Sequence, residues 1–482
     1  MTNFEVIIGI ENHVELKSNT KIFSHAPVNF GLEHNTQVSE VDLGYPGALP
    51  SVNKECVRLA LLACNALNLK IDPLLRFDRK NYFYPDLVKG FQITQQFFPI
   101  GKDGFLEIEL DNNSSKKIEI ERLHIEEDTA KQTHKDNLTF IDYNRSGIGL
   151  IEIVTKPVIR SSDEAVAYVN GLREILLFLG VSDVKMNEGS LRCDVNISLR
   201  PFGYDGYGSK VEVKNLNSLN NVKKAIEFEV KRQSDLLLNG QKIQQETRRF
   251  DESKQETVLM RVKNDAVDYK YTREPNIFPI KLNEQWINET IINAPELPSI
   301  KRKRYFDDYK LSMDDINYIL SDLNLTLFFE ETISYGADPK KVANLLITEI
   351  KAILNKDNIT LKGSNLKPKD LFEIISLTDN GVISSKHVKM IMPVKIKSNE
   401  NVLSIIEKNN WKLISDTDEI KRLVMPIVQK NTSLIKEQFI NRPERVEKTI
   451  MGELMKCTGG NVNPDIAINI IKELAEAAFK NQ

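Results

Sequence analysis

The hydrophobic period of this chain changes from strand-like to helical at Ala294-Pro295-Glu296-Leu297-Pro298. That change limits the folds available to it. Up to about residue 295, apolar residues recur mostly at every second position, as in strands, with helices interspersed; beyond it they recur at helical spacing. The two prolines make a rigid extended break, and Lys301-Arg302-Lys303-Arg304 follows. A second shift falls between about Ile396 and Asn401. With 482 residues the chain exceeds one domain. The expected division is 1–295, 296–405 and 406–482. The expected fold class is α+β: a mainly antiparallel sheet domain, then an all-α domain, then a small α-helical tail.

The strand pattern is specific. In Val6 to Leu16, Glu11, His13 and Glu15 lie on one face and Ile8, Ile10, Val14 and Leu16 on the other. Ile118 and Ile120 begin a strand whose phase slips near Arg122, as a bulge would cause, so that Glu127 shares the parity of Leu123 and Ile125. Cys193, Val195, Ile197 and Leu199 alternate with Asp194, Asn196, Ser198 and Arg200. Cys56, Leu59, Ala60, Ala63 and Leu67 fall at helical spacing. Ser162-Asp163-Glu164 caps a helix to about Phe178, and Asn220 to Leu238 forms another. Ser312 and Asp338-Pro339 start helices in the second half.

Composition excludes several classes. Charged content of 28% and hydrophobic content of 41% describe a globular chain. A net charge of -3 supplies no global positive field, so any nucleic-acid contact is local or shape-based. Four cysteines without CxxC spacing fit a reducing, cytoplasmic compartment. Met1-Thr2-Asn3-Phe4-Glu5 lacks a basic leader, and no apolar run is long enough for a membrane span.

Three stretches carry candidate chemistry. Arg122-Leu123-His124-Ile125-Glu126-Glu127-Asp128 sets three consecutive carboxylates at the end of a strand pattern. Burying them requires cations, and a divalent metal would serve; the alternative is a solvated acidic turn. Glu11, His13 and Glu15 present carboxylates and an imidazole along one strand face, suited to Mg2+ or Mn2+, or simply form a solvent face. Phe77 to Asp86 mixes Arg79 and Lys80 with aromatics, a pattern for phosphate, carboxylate or base, or for a core-edge strand with cationic ends. Gly203-Tyr204-Asp205-Gly206-Tyr207-Gly208-Ser209-Lys210 is no P-loop, because it ends Ser-Lys and precedes a strand; it reads as a hairpin loop. Arg248-Arg249 would clamp an anion or join an ion-pair patch. No serine elbow or Cys–His nucleophile occurs, so acyl or nitrogen chemistry would need a nucleophile from another chain.

Several long segments, in order, resemble the GatB/GatE family of aspartyl/glutamyl-tRNA amidotransferase B subunits. They are Ile8 to Leu16, Asp42-Leu43-Gly44-Tyr45-Pro46-Gly47-Ala48-Leu49-Pro50, Asp78 to Asp86, Leu123 to Asp128, Glu188 to Asn196, Glu212 to Ser218 and, at the end, Gly452 to Lys456. The resemblance implies a catalytic cradle over 1–295, a helical domain over 296–405 and a YqeY-like, tRNA-binding tail over 406–482. It implies an ATP-dependent carbon–nitrogen ligase. Such an enzyme phosphorylates the side-chain carboxylate of Glu-tRNA(Gln) or Asp-tRNA(Asn), then amidates it with ammonia that a GatA glutaminase subunit releases from glutamine. A small GatC subunit would complete a heterotrimer, in the cytoplasm and without a membrane.

On that resemblance the metal positions are Glu11, His13 and Glu127, with Glu126 and Asp194 as further ligands, for Mg2+ or Mn2+. The catalytic positions are Lys80, Glu127 and Glu212, and Arg79 and Lys80 would bind the nucleotide. Three departures matter, one being that the family's aromatic-Pro-Glu-Pro-Asp segment here reads Thr272-Arg273-Glu274-Pro275-Asn276 and lacks the final acid. The cysteines that bind zinc in many relatives are missing from Ser24-His25-Ala26-Pro27 and Val38-Ser39-Glu40-Val41, so no zinc is expected. A commonly basic tail stretch reads Thr458-Gly459-Gly460-Asn461, implying weaker phosphate contact. Two rival classes are a non-catalytic tRNA-binding scaffold and a metal-dependent phosphohydrolase acting on small molecules.

Overall fold

A computed structural model of the chain describes residues 4–110, 114–262 and 268–480. Met1, Thr2 and Asn3, on which the expectation about a leader partly rests, lie outside the described residues. The chain divides into two compact units, Met1–Pro298 and Ser299–Gln482, and the division falls at the proline break.

The first unit is built on a nine-stranded sheet. Its order is Glu256–Val262, Glu246–Asp251, Val211–Lys214, Leu191–Pro201, Phe4–Glu15, Gly149–Thr155, Ser115–Glu127, Gly101–Glu109 and Lys70–Ile71. All neighbours are antiparallel except Val211–Lys214 with Glu246–Asp251. That parallel pair needs a crossover, and helix Leu219–Leu238 supplies it. The first strand therefore sits in the middle of the sheet, between Gly149–Thr155 and Leu191–Pro201.

Alternation decides the two faces of this sheet. Ile8, Ile10, Val14, Leu123, Ile125, Ile151, Ile153, Val195 and Ile197 turn to one core. Helices Lys54–Ala66, Ser162–Phe178 and Leu219–Leu238 bury residues such as Leu59, Leu172 and Val222 in the same core. Glu11, His13, His124, Glu126 and Glu152 have the opposite parity and share the other face. The expected phase slip is present: Val154 faces Arg122 but Thr155 faces Ile120, which leaves Glu121 as the extra residue of a bulge.

Local signals act as expected, with one shift. Ser161, not Ser162, accepts from Glu164 N and caps its helix. Ser312 and Asp338 cap their helices through Asp315 N and Lys341 N. The Gly203 to Lys210 stretch joins two antiparallel strands as a hairpin loop. Arg248 is in an ion-pair network with Glu229 and Glu246.

The second unit is all helical. Within it, Thr417–Lys430, Thr432–Gln438, Pro443–Cys457 and Pro464–Lys480 close a separate core around Val424, Ile435, Ile450, Leu454 and Ile471. Among the described residues no helix is long and apolar enough to cross a membrane.

Candidate active site

Register across three strands creates the site. His13 lies opposite Glu152, and Glu152 lies opposite His124. Opposed residues on one face stand close together, so the three form a row across the sheet. Glu126, two residues beyond His124, joins on the same face. His13 Nε2 is 3.6 Å from Glu126 Oε1 and 3.4 Å from Glu152 Oε2. His124 Nε2 is 3.5 Å from Glu126 Oε2 and 3.2 Å from Glu152 Oε2. Ligand atoms of His13, Glu126 and Glu152 all lie within 4.8 Å of one another.

The charges are strongly coupled. Burial works against both imidazolium forms, but Glu152 and Glu126 outweigh it and hold His13 at about 8 and His124 at about 9. Burial raises the Glu152 carboxyl, yet the two imidazoles pull it well below the usual carboxylate range. Two carboxylates and one imidazole are a donor set that fits Mn2+, and Mg2+ with water completing the shell.

A second acidic group lies beside the first. Glu11 faces Asp194, and Asn196 faces Glu212. Ligand atoms of Glu11, Asp194 and Glu212 lie within 4.8 Å of one another. Asn196 Nδ2 donates to Glu11 Oε1 at 2.8 Å, and Thr247 Oγ1 donates to Glu212 Oε2 at 2.9 Å. This group has its own cation: Lys214 Nζ is 2.5 Å from Asp194 and 3.0 Å from Glu212. Burial lowers the Lys214 pKa, and the two carboxylates more than restore it. Burial, then Glu152 and Asp194, raise the Glu11 carboxyl. Glu11 and His13 share a strand face but serve different groups, because two residues along a strand span roughly 7 Å.

Glu127 turns away from Glu126, as neighbours in a strand must. Both of its oxygens lie 2.5 Å from Lys89 Nζ, and Ile93 N donates to Oε1 at 2.9 Å. Burial pushes its carboxyl up against the pull of Lys89. Lys89 also lines a cavity of about 170 Å³ with Tyr45, Pro50, Arg79, Phe91 and Glu274. Gly44, at φ +70, lets the Gly-Tyr-Pro-Gly turn approach it; a Cβ there would sit 3.0 Å from Lys89 Cγ.

Lys80 and Arg79 lie on strand Asp78–Asn81 of a small three-stranded sheet with Phe91–Thr94 and Thr272–Arg273. Burial lowers the Lys80 pKa, but Glu126, Tyr271 and Glu152 raise it overall. Its ammonium sits 4.8 Å from the Tyr269 ring centroid and has no ion-pair partner among the described residues. Arg79 is committed elsewhere: Nε and Nη2 bind Glu274 at 2.6 and 3.1 Å, and the guanidinium lies 3.9 Å from the Phe91 ring centroid.

Four participants escaped the sequence reading. Glu152 had a visible signal, an acid inside Leu150-Ile151-Glu152-Ile153-Val154. His124 and Lys214 stand within segments already quoted, where nothing showed what they would face. Lys89 gave no signal, since its partner is 38 residues away.

Comparison with known proteins agrees in direction. The family model of the GatB/GatE catalytic domain matches residues 6–288, and that of the GatB domain matches residues 327–474. The B subunit of the aspartyl/glutamyl-tRNA(Asn/Gln) amidotransferase of Mesoplasma florum is 60% identical over 100% of both chains. The protein of the same name from Mycoplasma mycoides is 60% identical over 98% of this chain and 99% of its own. The one from Oceanobacillus iheyensis is 45% identical over the same shares.

Proposed function

Because the chain belongs to the GatB/GatE family, we propose that it is the B subunit of a tRNA-dependent amidotransferase and that the His13–Glu126–Glu152 face is its activating centre. The enzyme converts misacylated Glu-tRNA(Gln) or Asp-tRNA(Asn) to Gln-tRNA(Gln) or Asn-tRNA(Asn). A side-chain carboxylate cannot expel oxide, so ATP first transfers its γ-phosphoryl to a carboxylate oxygen and leaves as ADP. Ammonia then attacks the acyl carbon, phosphate departs, and the amide remains. Removing the partner subunits would leave the chain without an ammonia source.

The observation that carries this reading is the convergence of His13, Glu126 and Glu152 on one face, with the Lys80 ammonium held in their field. His13, Glu126 and Glu152 would hold one Mg2+ or Mn2+. Such an ion supplies electrostatic stabilisation to the transferring phosphoryl oxygens. Lys80, its charge favoured by Glu126 and Glu152, offers an ammonium to a phosphate or carboxylate oxygen. Arg79 acts from a distance by tying the Asp78–Asn81 strand to Glu274. Glu11, Asp194 and Glu212, neutralised in part by Lys214, take a second cation or orient the acyl acceptor. Glu127, bound to Lys89, stands beside the first centre and tunes its field.

The assembly is read as a heterotrimer with a glutaminase subunit and a small bracing subunit. Residues 1–295 form the cradle, 296–405 the helical domain and 406–482 the tRNA-binding tail, which recognises tRNA by shape. The test uses the purified assembly. ATP hydrolysis should depend on misacylated tRNA, and His13→Ala should abolish amide formation while tRNA binding persists. ATP cleavage indifferent to charged tRNA would instead support a small-molecule phosphohydrolase.

A further inference from the structure

His124 is the polar residue of this face that the proposed chemistry leaves without a task. It has the parity of Glu126, not that of the core residues Leu123 and Ile125, and yet it is only 5% exposed. Its Nδ1 is buried and has no hydrogen-bond partner among the described residues. Its polar contacts are therefore the two carboxylates at Nε2.

Those contacts are geometrically selective. Glu126 divides its oxygens, turning Oε1 to His13 and Oε2 to His124. Glu152 Oε2 lies between the two rings, 3.4 Å from His13 and 3.2 Å from His124. The two histidines are the ends of one row with Glu152 opposite both. A free glutamate side chain would spread over several rotamers. From the far side, His124 Nε2 stands at ion-pair distance from both carboxylates and restricts each with an oxygen toward His13, while Thr94 Oγ1 adds a 3.4 Å bond to Glu126 Oε2.

We propose that His124 is a positioning residue which holds Glu126 and Glu152 in the orientation that lets them and His13 close on a divalent cation. The inference rests on the metal reading above. It adds a residue behind the ligands, whose loss acts on cation affinity through carboxylate order rather than through a lost ligand. Partners of this kind typically govern affinity by about 10–100-fold.

The experiment measures Mn2+ affinity by electron paramagnetic resonance on the full chain in its assembly, with tRNA binding and thermal midpoint followed in parallel. His124→Leu and His124→Asn remove the contact, the second because its amide is too short to reach both carboxylates. Each should weaken Mn2+ binding by about 10–100-fold. His124→Gln keeps an N–H of similar reach and should stay within about threefold of the unsubstituted protein. Wild-type affinity in the leucine or asparagine variant overturns the proposal; so does a glutamine variant as weak as the leucine one. Should the leucine variant not fold, the asparagine and glutamine variants decide between them. If the unsubstituted protein takes up no Mn2+, the metal reading itself falls, and that result precedes any substitution.

Discussion

Lys89 closes on Glu127 with its Nζ 2.5 Å from both carboxylate oxygens, where the two side chains are 7% and 2% exposed. A buried pair of this kind gains little over an apolar pair, but losing one partner strands the other charge. Lys89→Met should therefore cost about 3–5 kcal/mol, while Lys89→Met with Glu127→Leu should recover much of that loss. Urea unfolding of both variants measures the difference. A double variant no more stable than the single one would contradict the account. Glu127→Gln serves separately: amide formation lowered with tRNA binding kept supports its influence on the centre, whereas unchanged turnover removes Glu127 from the chemistry and leaves it a structural partner of Lys89.

Glu15 leads to a pH prediction. Burial and the neighbouring Asp128 raise its carboxyl to about 7 against an ordinary value of 4.5, despite Arg192 and Arg145. Arg192 Nη2 holds Asp128 at 2.7 Å. The folded chain thus binds more protons than the unfolded one between those values. This contribution is fully present below 4.5 and is lost as pH rises through 7. Its ceiling is about 3 kcal/mol, from the 1.4 kcal/mol that each pKa unit represents. Stability should fall between about pH 4.5 and 7, and Glu15→Gln should flatten that slope. An identical slope in the variant would remove Glu15 as its source.

Cation binding should appear in thermal stability. An ion that binds the folded state alone adds about 2.7 kcal/mol at one hundred times its dissociation constant. Mn2+ should raise the melting temperature, a chelator should reverse the rise, and His13→Ala should remove the part owed to the His13–Glu126–Glu152 centre. Equal rises in wild type and His13→Ala would place the ion elsewhere.

Lys80→Ala should lower kcat/KM for ATP by about 10–100-fold, the size of one lost charge-assisted bond. Lys80→Arg should restore part of it, because a planar fork replaces a compact ammonium. Steady-state kinetics of the assembled enzyme with charged tRNA decides. Full activity in the alanine variant would remove Lys80 from the centre.

In the second unit, buried His387 accepts from Ser384 N at Nδ1 and donates from Nε2 to Asn461 Oδ1 at 2.9 Å. Lys386 Nζ donates to Gly459 O at 2.8 Å. These bonds join helix Ser385–Lys397 to the turn after Pro443–Cys457. His387→Leu should cost about 1–3 kcal/mol of stability and raise the tRNA KM while leaving kcat at saturating tRNA unchanged. A drop in kcat alone would argue against the tail as a tRNA contact.

Much of this was legible before folding. Period two in Val6 to Leu16 and in Cys193 to Leu199 set which side chains share a face, because alternation is a local property of the extended chain. Proline geometry at 295–298 set where the sheet unit ends, and the caps at Ser312 and Asp338 set where helices begin. Pairing was not legible. Glu11 and His13 read as one group, but register sent Glu11 to Asp194 and His13 to Glu152. Glu127 read as a companion of His13, but the reversal of direction between consecutive residues sent it to Lys89. The Arg79 guanidinium read as a nucleotide clamp and is bound to Glu274. Local chain geometry, then, determined the strand faces, the helix starts and the change of period. Strand order and register, which depend on segments more than 100 residues apart such as Glu152 beside His13, decided which charges meet, since a Coulomb interaction depends on distance in space and not on separation along the chain.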